Sequence, residues 1–100
     1  MNDGSKDRID DRLAVLRRAY AGKLPCKVDA VTSAWTERRA REEVARLAHQ
    51  LAGTAGSYGF AGVHDKARAV LDAARDEGGG EDAVSEAISA LDREVRDLDM

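Results

Sequence analysis

Apolar residues recur along this chain with helical spacing and never alternate over a run long enough for a strand. Ile9, Leu13, Leu16 and Tyr20 mark a first stripe, and Ala21-Gly22 after them predicts a helix end. Leu24, Val28, Val31 and Trp35 repeat the spacing, with Pro25 suited to the first turn of a second helix. Ala40, Val44, Leu47, Leu51 and Tyr58 form a third stripe on a long segment from about Thr36. Val63, Ala67, Val70, Leu71 and Ala74 form a fourth. The break Gly78-Gly79-Gly80 precedes a fifth, made of Val84, Ala87, Ile88, Leu91, Val95 and Leu98. Short connections between amphipathic helices imply antiparallel neighbours. The pattern therefore predicts an all-α protein: an up-down four-helix bundle from about Leu24 onward, with an additional N-terminal helix packed across one end.

At 100 residues the chain is expected to be one domain, 1–100. Its 43% apolar content allows a modest core, and its 35% charged content requires a large solvated surface. A net charge of −3 argues against a dedicated nucleic-acid binder, which is normally strongly basic. No apolar run approaches the roughly 20 residues that span a bilayer. The opening Met-Asn-Asp-Gly-Ser-Lys-Asp lacks the apolar core of a signal peptide, so a cytoplasmic protein with no membrane partner is expected. A single cysteine excludes an internal disulfide framework and a multi-cysteine zinc site. With two histidines and no length to wall off a deep pocket, an ordinary enzyme is not expected. Chemistry here would use one or two exposed groups and a partner that brings the rest.

The third segment is the informative one. Successive residues turn about 100° around a helix axis, which places His49 opposite the Ala40/Val44/Leu47/Leu51/Tyr58 stripe. Glu42, Arg46 and Gly53 share that outer face, with Ala45, Ala52 and Gly56 beside it. Gly53, Gly56 and Gly59 each cost about 1 kcal/mol relative to alanine inside a helix. Gly56 and Gly59 could admit a neighbouring helix or end this one; Gly53, beside the outward histidine, could not easily do so. A bare surface of Ala45, Ala52, Gly53 and Gly56 would instead let another protein dock and bring a reactive group to His49. An unperturbed imidazole is mostly neutral at pH 7 and offers one nitrogen lone pair as a nucleophile. Phosphoryl chemistry suits it, and Arg46 lies on a neighbouring part of the same face.

The stretch Ala48-His49-Gln50-Leu51-Ala52-Gly53-Thr54-Ala55-Gly56-Ser57-Tyr58-Gly59 resembles the signature of histidine phosphotransfer (HPt) domains. His49 matches the phosphoacceptor, Leu51 and Gly53 the leucine and glycine that follow it, and Thr54 and Ala55 the small residues. Tyr58 and Gly59 match the large apolar residue and glycine beyond. Tyr20 with Leu24-Pro25, and Ala67 with Leu71, resemble flanking family positions, so the likeness covers most of the chain. It implies an HPt-like bundle that carries a phosphoryl group between receiver-domain aspartates through His49. The partners implied are receiver domains of response regulators or hybrid histidine kinases. The receiver would hold the Mg²⁺, leaving this chain, expected to be a monomer, with no metal and no cofactor of its own. The family usually has lysine three residues after the histidine, where this chain has Ala52. Arg46, Lys66 and Arg68 are candidates to replace it at the phosphoryl oxygens, with Arg46 preferred as the nearest on the same face.

The other chemistry-bearing residues read more plainly. His64 is expected to be a surface or capping residue, and His49, His64 and Cys26 lack any paired metal-ligand spacing. Cys26 reads as a small filler, buried or half-buried, and Trp35 as core. Phe60 is either a helix-end plug or part of a docking surface. Arg38, Arg39, Arg41 and Arg46 are either a solvated face paired with Glu42 and Glu43 or a patch that steers an acidic partner. The competing function is a module that binds a receiver and never transfers.

Overall fold

The computed structural model describes residues 3–76 and 78–98, with side chains from Asp11 onward. Among them are four helices and no strand: α1 (Asp3–Thr36), α2 (Arg41–Ser57), α3 (Ala61–Arg75) and α4 (Glu81–Asp97). Helix α1 packs on α2 and α4, and α3 packs on α2 and α4, which closes a four-helix bundle.

The first two apolar stripes lie on one helix. Helix α1 runs for 34 residues straight through Pro25, so the helix end predicted at Ala21-Gly22 does not form. A proline inside a helix removes one backbone bond and costs about 3 kcal/mol. Here the ring is exposed and clear of the core, while Tyr20, Leu24, Val28, Val31 and Ala34 on either side form one continuous buried face. Packing of that face outweighs the local defect. Because the helix does not turn, its N-terminal part cannot fold across the end of the bundle. It runs outward instead, leaving Leu13 51%, Val15 65% and Leu16 45% exposed on a molecule 58 × 22 × 18 Å in extent. Ile9 lies outside the described side chains.

Two helix ends close by the same device, a left-handed residue whose neighbours return hydrogen bonds to the last turn. After α1, Arg38 (φ 60°) donates its N–H to the Trp35 carbonyl at 3.1 Å, and Arg39 donates to Ala34 at 3.0 Å. After α2, Gly59 (φ 82°) donates to Gly56 at 3.0 Å, and Phe60 donates to Ala55 at 2.9 Å. Phe60 then starts α3 and tilts against Tyr20 at a centroid distance of 5.9 Å, with Arg17 4.9 Å above its ring. It is the plug of this junction. Tyr58 stacks on Tyr20 at 4.5 Å, and its carbonyl accepts from Arg17 Nε at 2.7 Å. Burial pushes the Tyr20 hydroxyl above the usual tyrosine pKa, with its bond to Thr54 acting in the opposite direction.

At the other end of the bundle Trp35 is half-buried against the core and donates its indole N–H to Ser85 Oγ at 2.9 Å. Arg41 lies beside its ring and reaches the carbonyls of Ala73, Asp76 and Gly79 at 3.3 to 3.4 Å, closing the C-terminus of α3.

The buried face of α2 is Val44, Ala45, Ala48, Leu51, Ala52 and Ala55. The stripe read from the sequence is thus displaced around the helix: Leu47 and Tyr58 are only half-buried, and four alanines take the centre. Helix α3 answers with Ala67 and Ala74 among Val63, Val70 and Leu71. Small side chains on both surfaces let two helices approach closely.

Two backbone predictions follow from this geometry. A Cβ at Gly22 would meet nothing within 4 Å, so Gly22→Ala should raise stability by about 1 kcal/mol in a denaturant titration. Arg38→Gly should also stabilise, by about 1 kcal/mol, because it relieves a left-handed residue that bears a side chain. A loss of stability there would show that the guanidinium itself contributes.

Candidate functional site

Helix α2 presents His49 at the margin of its buried alanine face, one turn after Ala45 and one turn before Gly53. Its side chain is exposed, and no hydrogen bond among the described residues engages its ring. A neutral imidazole in that condition keeps a lone pair accessible from solvent.

The four positions expected to form a docking surface separate into three kinds. Ala45 and Ala52 are 0% and 3% exposed, so they belong to the core and offer nothing to a partner. The reason is the turn of α2 toward α3, which takes the alanines inward. Gly56 has surface exposure but serves an internal contact: a Cβ there would come within 3.1 Å of His64 Nδ1. That nitrogen lies 2.9 Å from the Ala52 carbonyl and carries the proton donated to it. Gly56 is therefore the seat of a half-buried His64, which ties α3 to α2. Only Gly53 is open, since a Cβ added there would meet nothing within 4 Å. The three glycines have three separate causes: an unobstructed surface at Gly53, a ring against the backbone at Gly56, and a positive φ at Gly59.

A groove of about 790 Å³ runs between α1 and α2 and ends at this surface. Lys23, Cys26 and Lys27 of α1 line one side, and Leu47, His49 and Gly53 of α2 line the other. Cys26 is exposed here and fills no gap in the core. It falls on the groove side of α1, off the Leu24/Val28/Val31 face.

The candidate cations differ in how free they are. Arg46 is ion-paired with Glu43 at 3.0 Å, and Glu43 is also 3.9 Å from Arg39, which pairs with Glu37 at 2.9 Å. With Arg41 bound to carbonyls, most of the arginine cluster is taken up locally. These exposed pairs are worth about 1 kcal/mol or less each, so Arg46 can be released, at a cost. Lys66 and Arg68 are both exposed on α3. His64 fixes how α3 lies against Ala52 and Gly56. One turn further on, Arg68 comes to the level of His49 on the same face. Lys66 is about 200° round the helix from His64 and points elsewhere.

Sequence pattern alone does not single out Lys23 and Lys27. Their signal is present as the i, i+4, i+7 series Lys23, Lys27, Ala30. A helix break expected between Gly22 and Leu24 conceals it.

Among the described residues no group of three or more His, Cys, Asp or Glu side chains gathers as a metal site, and no helix is long and apolar enough to cross a membrane. No curated protein and no solved structure matches the chain. The family model of the Hpt domain matches residues 5–100. That match spans nearly the whole sequence and agrees with the all-helical bundle, so the chain belongs to the Hpt domain family, whose members serve histidine phosphotransfer in two-component phosphorelays.

Proposed function

We propose that His49 is the phosphoacceptor and that this chain carries a phosphoryl group between receiver-domain aspartates. The observation that carries this reading is the exposed, unengaged imidazole of His49 beside the open surface at Gly53. In the forward step the lone pair of a neutral His49 nitrogen attacks phosphorus. The N–P bond forms as the P–O bond to the receiver aspartate breaks, and the electron pair leaves with the carboxylate. The other ring nitrogen keeps its proton. The receiver supplies the aspartate and the Mg²⁺; this chain supplies the nucleophile, with no cofactor of its own and with Arg68 as the α3 cation best placed toward it. Phosphoryl transfer depends on positioning and on cations around the equatorial oxygens, so a carrier without a deep pocket suffices when the partner brings the charge.

The second reading, a receiver-binding module that does not transfer, is favoured by one feature: Ala52 is buried and offers no cation. The two readings separate on a label. Incubation with a phosphorylated receiver should give an acid-labile, alkali-stable phosphoryl group on the parent chain and none on His49→Gln. Equal labelling of that variant would move the acceptor elsewhere. Gly53→Gln should keep or raise thermal stability by about 1 kcal/mol, since a side chain there meets no obstruction. The same change should weaken receiver binding and slow transfer; unchanged transfer would reduce Gly53 to a matter of helix geometry.

A further inference from the structure

A phosphoryl group on an imidazole presents three oxygens bearing close to two negative charges, and cations around those oxygens determine how readily it forms and how long it lasts. We propose that Lys23 and Lys27 of α1 hold these oxygens from the groove side of His49. This rests on the assignment of His49 as acceptor.

Three observations support it. First, both lysines line the groove that His49 and Gly53 also border. Second, the helix register puts them at the right height. Arg17 bonds Tyr58 and Tyr20 bonds Thr54, so each step forward on α1 is a step back on antiparallel α2. Carried along the pair, the level of His49 falls at Pro25–Cys26, between the two lysines. Third, their charge is unspent. Among the described residues neither lysine has a carboxylate within 4.0 Å, whereas Arg39, Arg46 and Arg96 each do. The Lys27 ammonium lies 5.8 Å from the Tyr20 ring centre, a contact with an aromatic face that leaves its N–H donors for an anion. In a chain of net charge −3, two neighbouring ammonium groups without acidic partners form a local positive site.

Gly53 completes the arrangement. It borders the same groove one turn after His49, and it has no side chain to crowd the space beside the imidazole. A lysine is a flexible point charge on a four-carbon stem, suited to follow an oxygen that is present only part of the time.

The full chain can be tested with phosphoramidate, a small donor that removes receiver docking from the measurement. The His49 lone pair displaces ammonia, the N–P bond forming as the donor's P–N bond breaks, and phosphorus NMR follows both formation and decay. The double variant Lys23→Gln/Lys27→Gln should form phosphohistidine at least about tenfold more slowly, or lose it at least about tenfold faster, since each lost charge-assisted contact is worth roughly a factor of ten or more. Its melting temperature should match the parent's. Lys23→Arg/Lys27→Arg should recover most of the loss, and added salt should slow the parent more than the glutamine variant. A glutamine variant at the parental rate and lifetime, or an arginine variant as impaired as the glutamine one, would overturn the proposal while leaving His49 in place. A parent chain that takes no label at His49 from either phosphoramidate or a phosphorylated receiver would overturn the acceptor assignment, and the lysine site with it.

Discussion

Close packing of α2 on α3 through small side chains is the constraint on which the site depends. Ala45, Ala48, Ala52 and Ala55 turn inward against a surface that includes Ala67 and Ala74. With larger residues the axes would separate and the His64 ring could not lie over Gly56 while bonding the Ala52 carbonyl. The same contact sets the rotation of α2 about its own axis. That rotation decides that His49 emerges at the bundle's edge, with α3 on one flank and the α1 groove on the other. Among the described residues no polar or charged residue is fully buried, so apolar contact sets this rotation and the half-buried His64 secures it.

From this rotation follows a division of labour along one helix. Residues at 45, 48, 52 and 55 pack; Gly53 stays open; Gly56 receives a ring; Thr54 shares a hydrogen bond with the Tyr20 hydroxyl at 2.8 Å and lies 2.9 Å from the Gln50 carbonyl. The imidazole is thereby presented from a stiff support. A rigid element holds a reacting group more precisely than a loop does, and a carrier that contributes little else to the chemistry depends on that precision.

The helical class, the bundle and the exposed histidine are all legible in the sequence, because periodicity and the His49–Gly59 motif report them directly. Small residues are where the pattern misleads. Alanine counts as weakly apolar, so a stripe drawn through Val44, Leu47 and Leu51 centres too far from Ala45 and Ala52, and two core residues look like surface. Pro25 misleads in a different way. Its local rule favours a helix start, but Tyr20, Leu24, Val28 and Val31 form one face, and burial along that face prevails over a single missing backbone bond. The seat of His64 joins distant residues and has no local signal, whereas the Lys23–Lys27 spacing is present but hidden by the helix break expected near Gly22.

The outward run of α1 has its own thermodynamic consequence. A helix must first close an unfavourable turn before it can grow, and a short free segment seldom manages this in water. Here the turns that pack between Tyr20 and Ala34 are already formed by the bundle, so the segment bearing Leu13 and Leu16 begins with nucleation done. It grows outward from Arg17 and Tyr20, where the Tyr58 carbonyl and Thr54 make the outermost cross-helix bonds among the described residues. Helicity there is a graded quantity, set by temperature and local propensity, while the bundle that seeds it melts as a unit.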